Sequence, residues 1–164
     1  MNEFLNYIKA YIETKFNSDT SITKTVTVTN AYKAGNEITV SNVPQIQIQI
    51  MDNSELVSGT SFEGEHLSSI PLQITSYTAQ MKIDNVMKSA QESSIIFGQK
   101  IKDMFDKNLV VASNDNIKMV RRMTMSPALP LLEGKVYQTA TRFEFWVANP
   151  YVVGTQPQND EQGE

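Results

Sequence analysis

The sequence predicts an α+β fold: a mostly antiparallel sheet with two helices packed on one face, in the order α-β-β-β-β-α-β-β. Three observations carry that expectation. Two segments space their apolar residues by three and four, while most other apolar stretches alternate with a period of two. The strand-like segments fall in hairpin-like groups, which favours antiparallel pairing. Two helices are also too few to cover both faces of a sheet, so they share one.

Residues 2–16 read as the first helix. Asn2 can cap it, Glu3 suits its first turn, and Phe4, Leu5, Ile8, Ile12 and Phe16 form an apolar stripe. A helix this short is marginal alone in water, so the stripe must pack on something. In "SITKTVTVTN", Ile22, Val26 and Val28 share one strand face, with Lys24 breaking the series and Thr23, Thr25, Thr27 and Thr29 opposite. Gly35 and Asn36 mark a turn before "EITV". Pro44 opens "PQIQIQI" where losing an amide donor is tolerable, and Ile46, Ile48 and Ile50 then alternate with Gln45, Gln47 and Gln49. Residues 51–66, "MDNSELVSGTSFEGEH", lack a period and hold two glycines, which predicts a long loop. "IPLQITSYTAQM" returns as a strand through Leu72, Ile74 and Tyr77.

The second helix draws its stripe from Ile83, Met87, Ala90, Phe97, Ile101 and Met104, with Ser94 as a polar gap. Ser89 and Glu92 have capping-box spacing, so the helix starts either near Asp84 or at Ser89; its end is expected near Lys107 and Asn108. "NIKMVRRMTM" reads as a strand alternating Ile117, Met119, Arg121 and Met123 against Lys118, Val120 and Arg122. "SPALPLLEG" connects it to a last strand with Tyr137, Phe143, Phe145 and Val147 on one face and Arg142, Glu144 and Trp146 on the other. Beyond Gly154 no large apolar residue remains. Residues 1–150 are thus expected to form one domain, with 151–164 an acidic, disordered tail.

Composition narrows the function. The 164 residues suffice for one domain with a proper core, and 40% hydrophobic with 20% charged residues is a soluble globular mix. The absence of cysteine excludes a disulfide framework, a thiolate zinc site and a cysteine nucleophile, and suits a cytosolic origin. The formal charge is −4, but Asp160, Glu161 and Glu164 lie in the tail, so the folded part is close to neutral. Without a basic stripe to neutralise phosphates, nucleic acid is not expected as a primary ligand. "MNEFLNYIKAY" has neither the charged lead of a signal peptide nor the apolar length of a membrane span.

Chemistry is sparse. His66 has Glu63 and Glu65 nearby but no second nitrogen ligand in the chain, so a solvated loop residue is expected, with no metal and no cofactor. Asp103 and Asp106 read as helix-surface charges beside Lys100, Lys102 and Lys107. No G-x-S-x-G elbow or glycine-rich phosphate loop occurs, and an enzyme is not expected. Arg121 and Arg122 point to opposite sides of a strand. Either one turns toward the covered face and pairs with Glu144, or both form a surface pair at the strand end. Trp146 is either an aromatic anchor for an interface or part of a small core under a loop. The Thr and Gln faces are either ordinary solvent faces or a surface that meets copies of the same chain, neutral polar groups being cheaper to desolvate than charges. Eight methionines fit adaptable contacts.

The segment "VRRMTMSPALPLLEGKVYQTATRFEFWVANPYV" resembles the end of tail terminator, or tail completion (tail-to-head joining), proteins of long-tailed bacteriophages. An arginine-bearing strand leads into a proline loop, and a last strand carries Tyr137, Arg142 and Phe143 in the family's arrangement. The passage from "PLQITSYTAQ" into "KSAQESSIIFGQKIKDMFDK" is similar as well, and the likeness covers residues 2–150 as topology. It implies a structural virion protein: a hexameric ring at the head-proximal end of the tail that ends tube polymerisation and mediates head-tail joining. The implied partners are further copies of itself, the tail tube protein, and head connector or neck proteins, with DNA passing through without sequence-specific binding and no membrane. Its implied location is the virion tail or neck, and the host cytoplasm during assembly. Gln45, Gln47, Gln49, Met51 and the loop to Glu65, with Arg121, Arg122, Trp146, Pro150 and Tyr151, are the expected interface residues. The long polar strand set and the acidic tail depart from the family. The alternatives are another phage ring or tube component, a neck or tail tube subunit, and a monomeric α+β ligand-binding module.

Overall fold

The structure is a computed structural model, and it describes residues 2–30, 38–51, 58–62, 65–105 and 116–148. Helix α1 (Asn2–Asn17) buries Phe4, Ile8, Ile12 and Phe16, as their spacing predicts. Its last residue steers the chain onward. The Asn17 side chain donates to the Val26 carbonyl at 3.3 Å and accepts from the Val26 amide at 3.0 Å. Strand β1 (Thr27–Asn30) starts one residue later. Ile22, expected within that strand, precedes it and makes an isolated bridge to Ile83.

Strand β2 (Gln45–Ile50) runs parallel to β1 and antiparallel to β4 (Glu65–Ala79). The expected loop over residues 51–66 needs correction, because β3 (Ser58–Phe62) and the start of β4 lie within it. "SGTSF" carries no apolar alternation, and what holds it is backbone pairing to an unusually long β4. Periodicity cannot see such a strand.

A second correction concerns residues 81–88, read as a possible helix start. They form a hairpin, β5 (Met81–Ile83) and β6 (Val86–Lys88), around Asp84 and Asn85 at φ 53° and 61°. Two consecutive positive-φ residues, Asp and Asn, suit a two-residue hairpin turn. Ile83 and Met87 therefore leave the helical stripe, and α2 (Ala90–Met104) begins after Ser89. The capping box is formed in both directions: the Glu92 amide donates to Ser89 Oγ at 3.2 Å, and the Ser89 amide to Glu92 Oε2 at 2.9 Å. The helix ends at Met104; Lys107 and Asn108 lie outside the described residues.

After α2 come β7 (Ile117–Met125), β8 (Leu129–Leu131), a 3-10 turn (Leu132–Gly134) and β9 (Val136–Ala148). The element count thus exceeds the predicted order by two strands before α2 and one after it. The strict alternation expected for β7 fails because its register shifts twice, between Ile117 and Met119 and between Arg122 and Thr124. Each shift sends neighbouring residues to the opposite face.

The fold class is the predicted one. The sheet order is β1-β2-β4-β9-β7, with β3 alongside β4 and β8 alongside β9; all pairs but β1–β2 are antiparallel among the described residues. Both helices pack on one face. Ile46, Ile48, Ile70, Leu72, Ile74, Phe143 and Phe145 meet the α1 stripe and Phe97 and Ile101 of α2. Phe16 and Phe97 lie 4.8 Å apart between ring centroids, and Phe105 sits 5.1 Å from Phe143 and 5.4 Å from Phe145. Such pairs add about 0.5–1.5 kcal/mol each beyond area burial. Under the first turns of α2 the core turns polar. Ser94, the gap in the helical stripe, hydrogen-bonds Thr139 at 2.7 Å, and Thr78 Oγ1 donates to the Ala90 carbonyl at 3.2 Å.

Candidate functional site

Strand alternation sends every second residue of β2, β4 and β9 away from the helices. On that open face Gln47 stands beside Thr75, Gln49 beside Gln73, and Gln73 in turn beside Arg142. One end is roofed by a small apolar cluster of Val43, Ala79 and Val136 with Ile38, Tyr77 and Leu131. The rest is polar and bonded to itself. Tyr77 Oη donates to Gln47 Oε1 at 3.3 Å, Arg142 Nε to Gln73 Oε1 at 3.0 Å, and Gln73 Nε2 to Thr75 Oγ1 at 3.2 Å. Ser69 Oγ donates to Glu144 Oε1 at 2.7 Å. Each such bond is worth about 0.5–1.5 kcal/mol net. More important for recognition, the network holds long side chains in place before any partner arrives, which lowers the ordering cost of docking.

The expected interface residues take distinct positions. Gln45 is only 5% exposed, with its Nε2 buried and without a hydrogen-bond partner among the described residues, so it is not part of the accessible face. Gln47 and Gln49 are half-buried, as is Met51, whose amide donates to the Pro71 carbonyl at 2.9 Å. Arg121 and Arg122 are both exposed on β7. Of the two readings for the arginines, the surface pair is therefore the one found. Glu144 does face Arg121 across the strands, but the ion pair among the described residues is Lys100–Asp19. Trp146 points to the open face between Ser69 and Met119, half-buried, with its indole N–H lacking an acceptor among the described residues. Pro150 and Tyr151, with Glu63 and Asp106, lie outside the described residues. His66 and Glu65 belong to the start of β4 rather than to a loop.

Charge supports structure here. Hydrogen bonds from Lys100 and Ser21 pull the Asp19 carboxyl down to about 2, tying the end of α1 to α2. The capping contacts of Ser89 lower Glu92, and burial raises the Tyr77 phenol. No three His, Cys, Asp or Glu gather into a metal site among the described residues. An open cleft of about 590 Å³ lies between Val40, Gln80, Ser89 and Lys135. No helix of the described residues is long and apolar enough to cross a membrane.

The feature that sequence reasoning missed is the outer edge of the sheet. Among the described residues β7 closes the strand order at one end and presents Met119, Met123 and Met125 exposed, with Leu129 continuing on β8. The available signal was "MVRRMTM": methionines flanking paired arginines suit an edge better than a strand buried between two others. No protein-family model matches the chain, and no curated protein matches it.

Proposed function

We propose that this chain is a structural subunit of a phage virion, a tail terminator that assembles as a ring at the head-proximal end of the tail, ends tube growth and joins tail to head. The observation that carries the reading is the open sheet face: polar but sparsely charged, hydrogen-bonded to itself through Gln47, Tyr77, Gln73 and Arg142, and bordered by an edge strand with exposed methionines. A surface of this kind stays soluble in a free subunit yet is cheap to desolvate against a neighbour. Its rigid side chains suit repeated docking. The likeness of residues 120–152 to the end of tail terminators supplies the biological setting. A closed ring needs two different patches that meet head to tail, and this sheet offers unlike features on its face and at its β7 edge. The near-neutral folded part would let DNA pass through the ring without holding it. On this reading the subunit works without a cofactor, in the host cytoplasm during assembly and in the virion neck afterwards.

The test is native mass across a concentration series, with electron microscopy of the particles. Closed rings with a central hole, and tail tubes capped at one end on mixing, are expected. Filaments would replace this reading with a tube subunit. A monomer that caps no tubes would overturn it in favour of a binding module built around the cleft near Ser89 and Lys135.

A further inference from the structure

Edge strands in soluble proteins are usually blunted by charge, bulges or short length. β7 has the charges and two register shifts, but it is nine residues long. Met119 and Met123 are 47% and 55% exposed on it, and Leu129 is 43% exposed on β8. Arg121 and Arg122 stand between the two methionines, exposed and without a carboxylate partner among the described residues. An edge that is apolar and cationic at once is poorly protected against an acidic strand with apolar side chains.

Building on the ring reading, we infer that this edge is the docking site for residues 149–164 of a second copy, added alongside β7 as a further strand. The chemistry matches. After Asn149 and Pro150 that segment carries Tyr151, Val152 and Val153, strand-forming residues suited to methionine contacts, and it ends with Asp160, Glu161 and Glu164 without any Lys or Arg. Pro157 limits the paired stretch to about six residues, roughly 20 Å, which leaves the acidic end free to reach the arginines. Extended, sixteen residues span about 50 Å, ample to bridge from one subunit to the edge of the next.

The exit point argues for a second copy rather than the same chain. The Ala148 amide donates to the Asn116 carbonyl at 2.7 Å, so the segment departs where the chain enters β7, on the β9 side. Ala148 therefore lies on the inner side of β7, with that strand between it and the outer edge. A neighbour's segment meets no such obstacle. One copy gives a strand and receives another at a different place, a heterologous contact of the kind that closes rings.

Charge exchange in the full chain tests this. Arg121→Glu with Arg122→Glu reverses the edge; Asp160→Lys with Glu161→Lys reverses the segment. Far-UV circular dichroism and Tm should match the parent in both, since the arginines are exposed. Each reversed protein alone should need at least about tenfold higher concentration to associate, and an equimolar mixture of the two should recover association, because each supplies the complement of the other. Reversed proteins that assemble like the parent would overturn the docking and leave the ring reading standing. A mixture that stays apart, while the chain carrying all four changes assembles, would place the segment on its own subunit and overturn the exchange. If the parent is monomeric at every concentration, a labelled peptide of residues 149–164 is titrated into it. Saturable binding weakened about tenfold by Arg121→Glu with Arg122→Glu supports the docking, and equal or no binding overturns it.

Discussion

Gly98 of α2 lies against Thr139 of β9 so closely that a Cβ on Gly98 would stand 2.7 Å from Thr139 Cγ2 and 2.8 Å from Met125 Cε. Methionine can move its end; the threonine methyl is fixed by a short, branched side chain whose hydroxyl is bonded to Ser94. Gly98→Ala should gain about 1 kcal/mol of helix propensity and lose about 1–3 kcal/mol to overpacking, for a net loss. Thr139→Ser removes the methyl while keeping the hydroxyl. The double variant should therefore be more stable than Gly98→Ala alone, as read by urea denaturation. Additive losses would mean that the close approach is not what Gly98 provides.

Gln47→Lys places a charge among uncharged neighbours, Thr75 and Tyr77, and breaks the bond from Tyr77. Stability should fall by no more than about 1.5 kcal/mol, the worth of one exchanged hydrogen bond, while self-association weakens sharply. Ala10→Lys, on the exposed side of α1, is the matched control and should assemble normally. Native mass spectrometry of both variants decides. Unchanged assembly of Gln47→Lys removes the glutamine face from the contact.

The Asp19 carboxyl is lowered from 3.8 to about 2, first by its hydrogen bond to Lys100 and then by those to Ser21. A depressed carboxyl stabilises the fold fully above its unfolded pKa and loses that contribution as pH falls through the folded value. The window is therefore about pH 4 down to about pH 2. Asp19→Asn should cost less than about 1 kcal/mol at neutral pH, since the pair is partly exposed, and should flatten the decline between pH 4 and 2. Thermal melts across that range read the difference. A parallel decline in both proteins would assign the acid sensitivity elsewhere.

Trp146 is the only tryptophan in the sequence, so its fluorescence reports one place on the open face. Covering that place by a neighbour should shift its emission to shorter wavelength as concentration rises through the assembly range. A constant spectrum over that range would show that Trp146 lies outside the contact.

Elements with strong internal periodicity could be read from the sequence. The α1 stripe, the Ile46 and Ile48 pattern and the Phe143, Phe145 and Val147 face all landed in the core. The exposed Ser89–Glu92 capping box was legible too, because it is a local arrangement that needs no tertiary partner. What escaped lacks a periodic signal of its own or is fixed by how its strand pairs. β3 exists because β4 extends past β2, and the alternation of β7 breaks at two register shifts set by β9. The hairpin at Asp84 and Asn85 was hidden because Ile83 and Met87 fit helical spacing by coincidence. At the candidate surface, the polar face was legible from three alternating glutamines, but the burial of Gln45 was not, since it arises where β2 lies between Thr27 of β1 and Tyr77 of β4.

The change of character beneath α2 has a mechanical meaning. Near its start the helix meets Thr78 and Thr139 through its backbone and Ser94; one turn later it meets the phenylalanines of β9 through Phe97 and Ile101. A uniformly oily underside would let the helix slip along the sheet, because apolar contacts are direction-blind. Here a slip of one turn would set hydroxyls on aromatic rings and strand their hydrogen bonds. The polar patch acts as a locating pin, and the greasy patch as the clamp that holds it seated. A subunit that must present identical outlines to its neighbours around a closed circle benefits from such indexing, since small slippages in each copy would otherwise accumulate until the circle failed to meet.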